Sequence, residues 1–133
     1  MKMESIDVLF VCLHGSAKSV IAAELFRRRA AARGLVMTAA TAGIEADKAI
    51  PVGVVAGLAA DGIDVSALRP RQLTGAIVAS ARLIVALGCR IDDPGYAVID
   101  LRQWDDIPAV SDGFEPARDV ILDRVSALLD ELA

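Results

Sequence analysis

The chain predicts an α/β fold in which a parallel sheet is sandwiched between two helical layers, and three observations predict it. Short, continuous apolar runs alternate along the sequence with stretches of helical spacing. The runs are apolar throughout rather than at every second residue, the pattern of strands covered on both faces. The first run ends at a cysteine and a short loop that opens a helix, the place where such folds carry their ligands.

In order, Ile6–Cys12 predicts a buried strand and Ser19–Arg33 a helix, with Ile21 and Leu25 on its apolar side and Gly34 as its stop. Val36–Thr41 predicts a second strand running out at Gly43. Pro51 suits the first turn of a helix that reaches about Asp61 and stops at Gly62. Arg71–Ala79 predicts a weaker helix, Leu83–Leu87 a strong strand and Ala97–Leu101 a short one. Glu115–Leu132 closes the chain as a helix with Val120, Ile121, Val125, Leu128, Leu129 and Leu132 on one side. With 133 residues, no repeat and no linker, the expectation is one domain spanning 1–133.

The net charge of −4 argues against general affinity for nucleic acid or an anionic membrane. The one basic cluster, Arg27-Arg28-Arg29 with Arg33, is the pattern of a solvated helix face. No apolar run approaches the roughly 20 residues of a membrane helix, and the first residues show no secretory leader, so a cytoplasmic protein is expected. Two cysteines cannot build a disulfide framework, and no Cys/His group suggests zinc, so neither metal nor organic cofactor is expected.

The segment Val11-Cys12-Leu13-His14-Gly15-Ser16-Ala17-Lys18-Ser19 concentrates the chemistry. A strand-to-helix turn offers backbone N–H groups to an oxyanion, and the same field favours a thiolate over a thiol. It is not a nucleotide P-loop: Ala17 and Leu13 stand where that motif needs glycines. His14, the one histidine, could protonate a leaving group, tune the thiolate, or hydrogen-bond at the rim.

Over nearly its full length the chain resembles the low-molecular-weight protein tyrosine phosphatases and the thiol-linked arsenate reductases. The resemblance rests on Val11-Cys12, Cys12-x5-Lys18-Ser19, Thr41-Ala42-Gly43-Ile44-Glu45-Ala46, Gly62-Ile63-Asp64-Val65-Ser66 and Arg71-Gln72-Leu73-Thr74. It implies a four-stranded parallel sheet of the low-molecular-weight phosphatase type. It also implies a Cys12 thiolate that attacks phosphorus or arsenic while the backbone of Leu13, His14, Gly15, Ser16, Ala17 and Lys18 holds the oxyanion. Ser19 would donate a hydrogen bond to the sulfur. Lys18 replaces the family's arginine, a point charge for a planar fork, and Gly15 replaces its asparagine.

The family's general acid is an Asp-Pro aspartate before the last helix. Asp93-Pro94 comes too early, because a strand is still expected after it. The corresponding stretch is Trp104-Asp105-Asp106-Ile107-Pro108, with Asp106 the first candidate and Asp105 the second. Cys89 matches the resolving cysteine of the arsenate reductases or is a small packed residue. Aromatic residues are scarce, 4% of the chain, with Trp104 as the one candidate pocket wall. The partners expected are a small oxyanion or phosphate monoester and, for a reductase, a thiol reductant. Arsenate reductase is the first reading, phosphatase the second, and a lapsed oxyanion binder the third.

Overall fold

The computed structural model describes residues 5–91 and 100–133. Four parallel strands, β1 (Ile6–Cys12), β2 (Ala39–Gly43), β3 (Ala81–Leu87) and β4 (Leu101–Trp104), lie in the order β2-β1-β3-β4. The helices are α1 (Lys18–Ala32), α2 (Val52–Ala60), α3 (Gly75–Ser80) and α4 (Phe114–Leu132). The α/β sandwich with a four-stranded parallel sheet is therefore the observed architecture.

The sheet separates two cores because side chains alternate along each central strand. Val8, Phe10 and Cys12 of β1 and Leu83, Val85 and Leu87 of β3 join the larger core under α1, α2 and α4. Leu9, Val11, Ile84 and Ala86 face the other way, against Ile77 and Val78 of α3. The continuous apolar runs in the sequence reflect this two-sided burial. Phe10 anchors the larger core, edge-on to Phe26 at 5.7 Å and tilted against Trp104 at 6.0 Å. Trp104 is thus a packing residue rather than a pocket wall.

The larger differences from the sequence expectation fall at three boundaries, the others being shifts of one or two residues. The second strand begins at Ala39 instead of Val36, since Asp7 and Thr38 take each other's backbone N–H groups through their side chains, both at 2.9 Å, and replace the ladder there. Arg71–Leu73 is not helical: Gly43 donates to Arg71 O and Leu73 to Gly43 O, each at 2.9 Å, extending the edge beside β2. The helix starts after Thr74, whose hydroxyl accepts from Ile77 N at 3.2 Å. Among the described residues the last strand is Leu101–Trp104, matched to Ile84–Leu87 of β3 and running three residues beyond the expected end at Leu101. Residues 97–99 of that expectation, and Asp93-Pro94, lie outside the described residues.

Candidate active site

Cys12 ends β1 at the carboxyl edge of the sheet, and the loop 13–17 turns directly into α1. The turn is tight enough that only glycine suits two positions. Gly15 has φ +61°, and a Cβ there would lie 2.6 Å from Gly43 N; a Cβ on Gly43 would lie 2.5 Å from Gly15 N. Loop and β2 end touch backbone to backbone.

The loop's polar backbone divides by direction. Its carbonyls turn outward: Cys12 O accepts from Ile44 N at 3.3 Å, Leu13 O from Glu45 N at 2.8 Å and His14 O from Asp47 N at 3.0 Å. The N–H groups of Leu13 to Lys18 donate to no acceptor among the described residues. Backbone amides without a protein partner, gathered at a helix N-terminus, can seat a tetrahedral oxyanion.

Cys12 is buried but reaches the cleft, and its sulfur lies 3.1 Å from Oγ of the fully buried Ser19. That hydroxyl can donate to a thiolate. Lys18, the first residue of α1, projects beside Gly88, where an added Cβ would stand 3.3 Å from Nζ. Asp47 braces the loop from outside the contiguous motif. Its carboxylate accepts from Ser16 Oγ at 2.8 Å and lies 3.6 Å from His14 Nδ1. His14 Nδ1 also lies 3.1 Å from Glu45 O; a carbonyl only accepts, so Nδ1 carries the hydrogen.

These residues border a cleft of about 840 Å³, walled by Pro51, Val54, Leu87, Val110 and Phe114, with Asp47 and Asp112 as its carboxylates. Sequence reading missed Asp47, Asp112 and Phe114. Their signal was faint: a carboxylate four residues past Gly43, and a polar-aromatic step into the last helix.

Asp105, Asp106 and Cys89 do not border the cleft. Arg90 donates to both carboxylate oxygens of Asp105, at 3.0 and 3.1 Å, and Gln103 adds a third bond at 2.8 Å. Arg90 first and Gln103 second hold the Asp105 carboxyl below its usual range. Asp106 pairs with Arg124 of α4. Cys89 belongs to the smaller core with its sulfur 3.5 Å from Val11 O. Burial, then the charge of Cys12, pushes its thiol up to about 11. Among the described residues no His, Cys, Asp and Glu cluster could hold a metal ion, and no helix is long and apolar enough to cross a membrane.

The sequence profile of the low molecular weight phosphotyrosine protein phosphatases matches residues 7–98. The chain belongs to this family.

Solved structures of the phosphatase fold agree in architecture. A thioredoxin-dependent arsenate reductase of Corynebacterium glutamicum superposes with a TM-score of 0.80 at 23% identity over 98% of this chain, which spans 63% of that one. A low molecular weight protein tyrosine phosphatase of Bacillus subtilis gives 0.84 at 20% identity, covering 96% of this chain and 97% of the other. An arsenate reductase of Archaeoglobus fulgidus gives 0.74 at 27% identity, covering 93% and 99%. No curated protein matches the chain in sequence. Members of the phosphatase family are cysteine-based enzymes acting on phosphate or arsenate groups, and the chain fits that class.

Proposed function

We propose that the protein is a phosphate monoester hydrolase in which the Cys12 thiolate attacks phosphorus. The S–P bond forms as the ester P–O bond breaks, and water then cleaves the cysteinyl-phosphate to release inorganic phosphate. The observation that carries this reading is the Cys12 sulfur at the cleft floor, 3.1 Å from Ser19 Oγ, beside a run of loop N–H groups with no protein acceptor. In this scheme the loop amides of 13–18 hold the equatorial oxygens, Lys18 adds a point charge, and Ser19 stabilises the sulfur as a nucleophile and again as a leaving group. A cleft of about 840 Å³ with aliphatic walls and, among the described residues, the phenyl ring of Phe114 suits an ester carrying an organic group better than a bare oxyanion.

Arsenate reduction is the second reading. It is favoured by Cys89, whose sulfur lies 3.5 Å from Val11 O, one residue from the nucleophile. There the Cys12 sulfur would bond to arsenic as one As–O bond breaks and its oxygen leaves as water. Cys89 would then attack the Cys12 sulfur to form the disulfide, and the electron pair of the broken S–As bond would stay on arsenic, taking it from +5 to +3 as arsenite. An external thiol reductant would restore both cysteines. A Cys89 thiol raised to about 11 stays protonated at neutral pH and attacks slowly, which places this reading behind the first.

Two measurements on one preparation separate them. Hydrolysis of an aryl phosphate that is lost in Cys12→Ser, retained in Cys89→Ser, and accompanied by no mass change when reduced protein meets arsenate supports the hydrolase. Loss of two hydrogens on arsenate treatment, abolished by either substitution, supports the reductase. Oxyanion binding without either reaction identifies a lapsed member.

A further inference from the structure

Among the described residues, Asp105 and Asp106 are held by Arg90 and Arg124 outside the cleft, so in the hydrolase reading neither of them can protonate the ester oxygen. We propose that His14 is the proton donor to the leaving oxygen, held in place by Glu45 and Asp47; this rests on the hydrolase reading above. His14 borders the same cleft as Cys12 and Lys18, and its side chain is about half exposed. Nδ1 is committed to Glu45 O at 3.1 Å with the Asp47 carboxylate at 3.6 Å, so the exchangeable proton is on Nε2, which has no partner among the described residues.

Among the described residues, the other protic groups of the cleft are less suited. Ser16 already donates to Asp47 at 2.8 Å. Ser111 is a hydroxyl, too weak an acid to protonate a leaving group at neutral pH. Lys18 is the positive charge the oxyanion needs. Asp112 borders the cleft but is exposed to solvent. Imidazole is the side chain that most often carries out such proton transfers.

The steps balance. As Cys12 attacks and the P–O bond breaks, the imidazolium gives its Nε2 proton to the departing oxygen and becomes neutral. The attacking water then enters the apical position just vacated, opposite sulfur. His14 Nε2 takes its proton, the S–P bond breaks, and phosphate, thiolate and imidazolium are regenerated.

The test compares phenyl phosphate, whose phenoxide leaves poorly, with 4-nitrophenyl phosphate, whose leaving group needs less help. His14→Asn keeps an N–H for Glu45 O while removing the transferable proton. It should lower kcat/KM for phenyl phosphate on the order of 10²-fold and for 4-nitrophenyl phosphate by about a tenth of that or less. The inhibition constant of inorganic phosphate, which reports the loop itself, should stay within about twofold. Equal losses on both esters, no loss on either, or weakened phosphate binding would each overturn the proposal. So would a leaving-group-dependent loss produced by Asp112→Asn and not by His14→Asn. Failure of the hydrolase reading looks different, since the unsubstituted protein would then turn over neither ester and the proposal would fall with it.

Discussion

Lys18 sets how firmly the loop grips an oxyanion. Its ammonium sits beside Gly88, whose φ of +72° and missing side chain leave the space a Cβ would crowd at 3.3 Å. An ammonium is a compact charge, whereas a guanidinium offers two parallel donors to two oxygens. If the missing prong is worth one oxyanion donor, Lys18→Arg should raise kcat/KM on an aryl phosphate by about 10²-fold and tighten phosphate inhibition. A variant with tighter phosphate binding and still no turnover would identify a lapsed enzyme. Asp47 acts on the same loop from the other side. Gly15 has no side chain with which to brace the turn, and the Asp47 carboxylate reaches Ser16 Oγ at 2.8 Å instead. Asp47→Ala should weaken phosphate inhibition by about 1 kcal/mol, roughly fivefold, since the carboxylate is partly exposed. Asp47→Asn, which keeps an acceptor for Ser16, should recover most of that. Equal losses in the two variants would show that the strut needs an ionised acceptor, since the removal of a negative charge would by itself tighten phosphate binding.

At the scale of elements, α2 and α4 meet through a glycine. Gly57 lies mid-helix in α2, where a Cβ would stand 2.5 to 2.6 Å from ring atoms of Phe114, the first residue of α4 and part of the cleft wall. Helix propensity alone predicts that Gly57→Ala stabilises by about 1 kcal/mol. Overpacking against a ring costs about 1–3 kcal/mol, so the steric term wins. Gly57→Ala should lower the urea midpoint and, by moving Phe114, raise KM; a higher midpoint with unchanged KM would refute the contact. Such pairings explain what was legible beforehand. β1 and β3 could be read because continuous apolar runs report burial on both faces. The starts of β2 and α3 could not, because they are set by the Asp7–Thr38 exchange and the Thr74 cap, which periodicity does not encode. The Cys12–Ser19 loop was legible as one contiguous segment. Asp47, Asp112 and Phe114 join it from other segments, brought in by packing that no local pattern announces.

At the scale of the molecule, the sheet is a partition with one thiol on each side. Cys12 belongs to the larger core and opens into the cleft, while Cys89 belongs to the smaller core with Leu9, Val11, Ile84 and Ala86. This division gives the fold an alkaline weakness. In the folded protein the Cys89 thiol is raised from 9.0 to about 11, first by burial and then by the charge of Cys12. Between those values the folded state keeps the proton and the unfolded chain releases it, so ionisation favours unfolding. The stability tied to Cys89 is therefore full below pH 9 and declines as pH rises toward about 11. The decline cannot exceed about 1.4 kcal/mol per pH unit for one group. Lysines and other groups titrate in the same window, so the comparison that isolates Cys89 is with Cys89→Ala, which leaves an apolar residue of similar size. Urea midpoints followed across that window should fall more steeply for the unsubstituted protein than for Cys89→Ala, with the curves converging below pH 9 apart from a constant offset. Parallel curves throughout would mean that Cys89 ionises as readily folded as unfolded. The thiol would then be open to solvent or to Cys12, and the reductase reading would regain the ground that its burial takes away.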